Sequence, residues 1–177
     1  TDFKKLLADI PGDINLFKEA YTKHKKLSDA VRYYVNALFS NEGLIIVDGD
    51  DPALKKLFIP GIEQDLFEQR HKPVVDKADA ALEAIGYKTQ IHCREINLFY
   101  LEDGLRNRIE KVGNKFNVVD TNISFTESEL RELVQKSPEK FSPNVVLRPL
   151  YQEMILPNLA YVGGPAEGVY WLQLKGI

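Results

Sequence analysis

The fold class follows from two short segments, Leu159-Ala160-Tyr161-Val162-Gly163-Gly164-Pro165 and, earlier in the chain, Leu44-Ile45-Ile46-Val47. Each holds a continuous apolar run, which is typical of a strand buried on both faces of a parallel sheet. Pro165 stands where a first helical residue would, so the later run predicts a strand that leads into a helix. The earlier run is followed by Asp51-Pro52, an N-cap and a first-turn proline for the next helix.

Helical spacing of apolar residues links these segments. It predicts helices across the first 43 residues, with Gly43 as a stop, and over residues 54–66, which Pro60-Gly61 should divide. Further helices are predicted at residues 73–85, after a Thr126 to Glu129 capping box, and between Pro143 and Pro157. Residues 88–93 predict another strand. Alternating helices and strands indicate an α/β protein.

Residues 96–119 interrupt this pattern. Their apolar residues alternate, and Glu102-Asp103-Gly104 and Gly113-Asn114 are turn signals, so an antiparallel meander is predicted. We therefore expect one α/β domain over residues 1–177 with an antiparallel insertion at about 96–120.

Composition narrows the class of protein. With 177 residues and 44% hydrophobic content, the chain suits one domain, and its net charge of −3 argues against a nucleic-acid surface. Cys93 is the only cysteine, so no internal disulfide forms, and a buried, inert thiol in a reducing cytoplasm is expected. No apolar run approaches the ~18 residues that cross a membrane, and no signal peptide is recognised. The three histidines lack metal-ligand spacing, so no metal site is predicted. A start without Met suggests a piece of a longer protein.

Candidate ligand-binding residues follow the two predicted strands. Ligands of open α/β sheets lie outside the carboxyl ends of strands, where Asp48, Asp50, Gly163 and Gly164 would stand. Glu167, in the first turn of the last helix, could contact an amine or a hydroxyl. The structural alternatives, aspartates that shape a turn and a glycine pair that allows a tight reversal, stay open.

Arg148 is the strongest single candidate. Its neighbours are apolar, an environment in which an arginine is costly unless it is paired, and its planar fork suits a carboxylate or a phosphate. A salt bridge to Glu153 or to one of the aspartates is the structural alternative. Three nearby residues could complete a polar pocket: Asn144, Tyr151 and Gln152.

Several motifs together resemble the bacillithiol biosynthesis cysteine-adding enzymes, the BshC family. That family carries a Ser-Pro-Asn-Val-x-x-Arg-Pro-x-x-Gln run, present here at residues 142–152, then Gly-Gly-x-x-Glu at residues 163–167 and Tyr-Trp at residues 170–171. Residues 43–52 and 96–100 also look like that family. The order of the motifs makes the resemblance more specific than any one of them.

The resemblance implies a ligase that adds L-cysteine to glucosaminyl malate, forming the amide bond of bacillithiol. It also implies a Rossmann-like three-layer core, present here in part, similar to class I nucleotidyltransferases. This chain would be an internal fragment that is inactive alone. Whether the full-length protein forms a homodimer stays open. Whether ATP or another adenine nucleotide is the cofactor stays open.

The implied chemistry assigns roles to the candidates. Arg148 would hold the two carboxylates of malate, while Asp48, Asp50 or Glu167 would orient the sugar amine. The alternative is a non-catalytic α/β interaction or dimerisation module that uses aromatic residues at its interface: Tyr33, Tyr34, Tyr100 and Phe125.

Overall fold

The structure is a computed structural model that describes residues 5–7, 10 and 12–177. The chain divides into two compact units, Thr1–Gly49 and Asp50–Ile177. Part of the predicted amino-terminal helical region, at residues 1–4, 8, 9 and 11, lies outside the described residues. The single domain predicted over residues 1–177 stays a prediction.

The first unit is built from helices. Helix α1 (Asn15–Lys23) contacts α2 (Leu27–Phe39), and the rings of Phe17 and Tyr34 meet edge-on at 5.7 Å. A 3-10 turn (Ser40–Glu42) then ends at Gly43, whose φ of 72° is left-handed. Glycine adopts that region without steric cost, so the predicted stop is confirmed.

The second unit contains six α-helices among the described residues, besides a π-helical turn (Gln64–Glu68) and a 3-10 turn (Pro138–Lys140). They are α3 (Pro52–Leu57), α4 (Ile59–Glu63), α5 (His71–Ala84), α6 (Glu127–Lys136), α7 (Arg148–Ile155) and α8 (Pro165–Gln173). Three predicted helix starts are confirmed. Asp51 Oδ1 accepts from the Ala53 N–H at 2.8 Å, Thr126 and Glu129 form a capping box, and Pro165 is the first residue of α8.

A five-stranded sheet lies in the second unit, with the strand order β4-β3-β2-β1-β5 and every neighbouring pair antiparallel. The strands are β1 (Leu98–Glu102), β2 (Leu105–Val112), β3 (Lys115–Val118), β4 (Ser124–Thr126) and β5 (Phe141–Pro143). The predicted meander is confirmed as β1, β2 and β3. Strands β4 and β5, three residues each, were not predicted.

The two faces of this sheet differ because successive side chains of a strand point to opposite sides. One face is the core, where strand residues pack with Phe58, Ile62 and Leu66 and with the α6 residues Leu130 and Val134. The core strand residues are Leu98, Tyr100, Ile109, Phe116 and Val118. The opposite, outer face carries polar and aromatic side chains, and the candidate site lies there.

The predicted strands at residues 44–47, 88–93 and 159–162 are wrong, because these described segments pair with no strand. Ile45 is 79% exposed and Val162 is 95% exposed. An apolar run shows that a segment is hydrophobic, but it supplies no neighbouring strand to hydrogen-bond. The expected parallel edge is therefore not formed, and the strands of the mixed α/β structure are antiparallel.

Candidate functional site

A cleft of about 500 Å³ lies on the outer face of the sheet in the second unit. Its walls come from the loop before β1, from β1 and β2, from the turn into α7, and from the segment around α8. The charged, aromatic and amide residues that line it are Arg94, Phe99, Arg106, Arg108, Asn144, Arg148, Gln152, Tyr161, Glu167, Tyr170 and Trp171. We call this the arginine cleft.

The sheet wall of the arginine cleft is set by strand alternation. Arg106 and Arg108 are two residues apart on β2, so both side chains point to the outer face. Phe99 of β1 stands opposite Arg108 in the register, and the guanidinium of Arg106 lies 3.8 Å from the Phe99 ring centroid. A cation over an aromatic face is attracted by the ring quadrupole, so Phe99 holds Arg106 in place.

Arg108 retains an unused hydrogen-bond donor. Its Nη1 atom lies 3.3 Å from Glu110 Oε1, close enough for an ion pair but without hydrogen-bond geometry. The same Nη1 is buried and finds no hydrogen-bond partner within the described part of the chain. A buried donor without an acceptor is costly, so a ligand oxygen here would relieve that cost.

The helix wall is set by the turn into α7. Asn144 Oδ1 accepts hydrogen bonds from the backbone N–H groups of Val146, at 2.8 Å, and Leu147, at 3.4 Å. This turn delivers Arg148 as the first residue of α7. The alternative salt bridge to Glu153 is not formed, since Glu153 instead accepts from Asn158 Nδ2 at 2.7 Å.

The third wall brings Glu167 and two aromatic rings together. Glu167 Oε2 accepts from the Gly164 N–H at 3.0 Å, and Tyr161 stacks on Trp171 with ring centroids 4.1 Å apart. Burial, and then a hydrogen bond to Glu167, raise the pKa of the Tyr161 hydroxyl. A Cβ atom at Gly163 would lie 2.7 Å from the Tyr161 ring, so this glycine is explained by close approach and not by left-handed backbone.

The arginine cleft is strongly positive, although the chain as a whole carries a net charge of −3. Four arginines and one carboxylate line it, which gives a formal charge of +3. No ion pair involves Arg94 or Arg148 among the described residues. Several guanidinium groups in one concave site attract and orient an anion with more than one carboxylate or phosphate oxygen.

The structure brings four of the predicted site residues into the cleft: Asn144, Arg148, Gln152 and Glu167. Tyr151 is 5% exposed and packs on the Phe58 ring at 4.9 Å, so it supports α7 from the core. Gly163 and Gly164 act through Tyr161 and Glu167, as described above. Three lining arginines were missed: Arg94, Arg106 and Arg108. The Arg-x-Arg spacing inside a predicted strand was the available signal for the last two.

The two predicted aspartates do not line the arginine cleft. Asp50 forms an ion pair with Lys55, with 3.1 Å between Oδ1 and Nζ. Asp48 belongs to the first unit and Asp50 begins the second. Their proposed role with the substrate amine stays a prediction.

Two other features are absent from the described residues. There, no three His, Cys, Asp or Glu side chains are grouped so that they could hold a metal ion. No helix in that part of the chain has the length and apolar character needed to cross a membrane. Cys93 is 2% exposed, and burial raises the pKa of its thiol to about 11.

Residues 9–177 match the family model of the N-terminal Rossmann-like domain of the bacillithiol biosynthesis protein BshC. The chain belongs to this family. The predicted family resemblance and the α/β, Rossmann-like class are thereby confirmed, with the correction that the described sheet is antiparallel.

Curated relatives extend this result. The chain is 48% identical over 171 residues to a protein of Cytophaga hutchinsonii, covering 97% of this chain and 32% of that protein. It is 51% identical over 162 residues to a protein of Flavobacterium psychrophilum and 35% identical over 162 residues to one of Bacillus mycoides. These two matches cover 92% and 90% of this chain and 30% of each relative. All three carry the name "Putative cysteine ligase BshC". The chain thus spans about a third of the length of these relatives.

Proposed function

We propose that this chain is part of a ligase that joins L-cysteine to glucosaminyl malate through an amide bond, forming bacillithiol. Family membership and the names of the relatives support this proposal. The observation that carries it is the arginine cleft. Its lining holds four arginines and only one carboxylate, that of Glu167, and such a positive lining suits a dianion such as malate.

The geometry of the cleft suggests how each wall contributes. Arg148 on the helix wall and the β2 arginines on the sheet wall would bind the two malate carboxylates from different sides. Glu167 lies in the same cleft and would accept a hydrogen bond from the sugar amine, keeping it oriented for attack on the activated cysteine carboxyl. Asn144 and Gln152 would add polar contacts.

The test is the substitution Arg148→Ala in the full-length protein. A hydrogen bond to a charged group is worth about 1.5–3 kcal/mol, so KM for glucosaminyl malate should rise about 10- to 100-fold. KM for cysteine should stay within about twofold, because the role assigned to Arg148 is to hold the malate carboxylates alone. Arg70→Ala is the matched control, because Arg70 is exposed, pairs with Glu68 at 3.0 Å and does not line the cleft. Unchanged kinetics in a folded Arg148→Ala variant would refute the assignment.

The alternative is a non-catalytic interaction or dimerisation module that uses aromatic residues. Tyr100 is 3% exposed and packs against Phe125 at 5.5 Å, so these two residues belong to the core. Tyr33, 36% exposed, is available for an interface. Calorimetric titration with glucosaminyl malate separates the two functions, since a pure interaction module would show no Arg148-dependent binding.

A further inference from the structure

A hydrogen-bonded polar chain joins two walls of the arginine cleft. It consists of Asp65, Asn97 and Asn144, and its central member, Asn97, is 1% exposed. We propose that Asn97 is a positioning residue that fixes the spacing between Arg94 and Arg148, and so the separation of the anionic groups that the cleft accepts. This inference rests on the proposed function only in naming glucosaminyl malate as the anion.

Asn97 holds Arg94 through both backbone groups of that residue. Its Oδ1 accepts from the Arg94 N–H at 3.0 Å, and its Nδ2 donates to the Arg94 carbonyl at 2.8 Å. A side chain that closes on a neighbour's backbone in this way fixes the local turn. The point from which the Arg94 side chain leaves the backbone is thereby determined.

Asn97 holds the Arg148 wall through Asn144. The Asn144 N–H donates to the Asn97 carbonyl at 2.9 Å, and Asn144 Nδ2 donates to Asn97 Oδ1 at 3.2 Å. The Asn144 carbonyl in turn accepts from the Arg148 N–H at 3.0 Å. One intermediate residue therefore connects Asn97 to the first turn of α7.

Asp65 anchors Asn97 in one orientation. This carboxylate is fully buried; its Oδ2 accepts from the Asn97 N–H at 2.6 Å and its Oδ1 from Asn97 Nδ2 at 3.1 Å. His71 Nδ1 also contacts Asp65 Oδ1 at 3.1 Å. Both protons of the Asn97 amide are thus used, one by Asp65 and one by Arg94, so a flipped amide would lose both bonds.

The position of the polar chain formed by Asp65, Asn97 and Asn144 suggests a role beyond stabilising the fold. Asn97 ties together the backbone at Arg94 and the turn before Arg148, and neither arginine is fixed by an ion pair among the described residues. Backbone fixation therefore sets the two points from which these arginine side chains enter the cleft. A displacement of about 1 Å at a binding group costs up to about a hundredfold in rate, so such fixation has a measurable effect.

The experiment is a double-mutant cycle in the full-length protein. Asn97→Ala should raise KM for glucosaminyl malate about tenfold or more, and the same substitution in an Arg94→Ala/Arg148→Ala background should add less than about twofold. Leu98→Ala is the control for a purely structural loss, because Leu98, the next residue and the first of β1, is equally buried and packs in the core. Its effect should be the same in both backgrounds.

Two results would overturn the proposal. One is that Asn97→Ala raises KM for glucosaminyl malate by the same factor with and without the two arginines. The other is that the change in KM only follows the loss of folded protein, as expected for Leu98→Ala. If Asn97→Ala does not fold, Asn144→Ser replaces it in a double-mutant cycle with Arg148→Ala, because Asn144 is only half-buried. Additive effects of these two substitutions on KM for glucosaminyl malate would also overturn the proposal.

A second measurement separates this inference from the proposed function. Calorimetry with succinate and glutarate, which differ by one methylene, reports directly on the spacing of the anionic groups. Asn97→Ala should reduce the ratio of the two affinities to about one, whereas an unchanged ratio overturns the inference. If Arg148→Ala leaves ligase kinetics unchanged while this ratio still depends on Asn97, the proposed function fails and the positioning role stands.

Discussion

Cys93 should react far more slowly than an ordinary thiol, although it lies beside Arg94 of the arginine cleft. Burial raises its pKa from 9.0 to about 11, so at pH 8 the thiolate fraction falls from about one in ten to about one in a thousand. The more basic thiolate is also a better nucleophile, and at a Brønsted slope near 0.4–0.5 this raises the reaction rate of the thiolate about tenfold. The net chemical slowing is about tenfold, and 2% exposure adds steric protection.

The assay is labelling of the folded full-length protein with an aromatic disulfide reagent, read by mass spectrometry of the peptide that contains Cys93. The same protein unfolded in urea supplies the reference rate. Between pH 8 and 10 the folded rate should keep rising about tenfold per pH unit, while the unfolded rate levels off near pH 9. A folded rate within about twofold of the reference, or a plateau below pH 9, would refute the argument and make Cys93 a candidate nucleophile.

Three further predictions concern the turn before α8 and the start of α6. Gly163→Ala places a Cβ atom 2.7 Å from the Tyr161 ring, so anion binding in the cleft, measured by calorimetry, should weaken several-fold. Gly164→Ala is the control and should bind the anion normally, because no atom lies within 4 Å of its Cβ. Equal effects of the two substitutions would contradict this prediction. Thr126→Ala should lower the free energy of unfolding in urea by about 1 kcal/mol through loss of the cap. Backbone and side-chain hydrogen bonds from Thr126 lower the pKa of Glu129 below 4.5, so its contribution is complete above pH 4.5 and is lost as pH falls through the folded value. A Glu129 pKa at or above 4.5 by NMR titration would contradict this.

Signals that act within a few residues were predicted correctly. Asp51 with Pro52 and Thr126 with Glu129 start helices through hydrogen bonds that span two or three residues. Gly104, with φ of 73°, makes the turn that joins β1 to β2. In each case the sequence contains both partners of the interaction side by side, so pattern and structure agree.

Signals that depend on distant partners were missed or misread. Strand β5 exists because Ser142 stands opposite Phe99, a pairing across more than forty residues that no local pattern reports. The apolar runs at residues 44–47 and 159–162 were taken for strands because a hydrophobic run resembles a strand until its neighbours are known. Local sequence shows which segments are hydrophobic, and only the assembled sheet shows which are paired.

The candidate site was predicted in the same uneven way. Arg148 was identified because an arginine among apolar neighbours is unusual, and it lines the cleft. Arg94, Arg106 and Arg108 are individually ordinary, and only the β1–β2 register and the loop before β1 gather them. Asn97 was missed because two of its four side-chain hydrogen bonds join it to the distant residues Asp65 and Asn144; the other two reach Arg94, three residues earlier.

The alternation along β1 and β2 has a consequence for how this protein can change. Core residues and cleft residues occupy interleaved positions, Leu98 and Ile109 on one face and Phe99, Arg106 and Arg108 on the other. Point substitutions at the outer positions can therefore retune which anion is recognised while the packed interior stays intact. An insertion or deletion of one residue within β2 has the opposite result, because it turns every strand residue beyond it to the other face and so exchanges core and cleft positions.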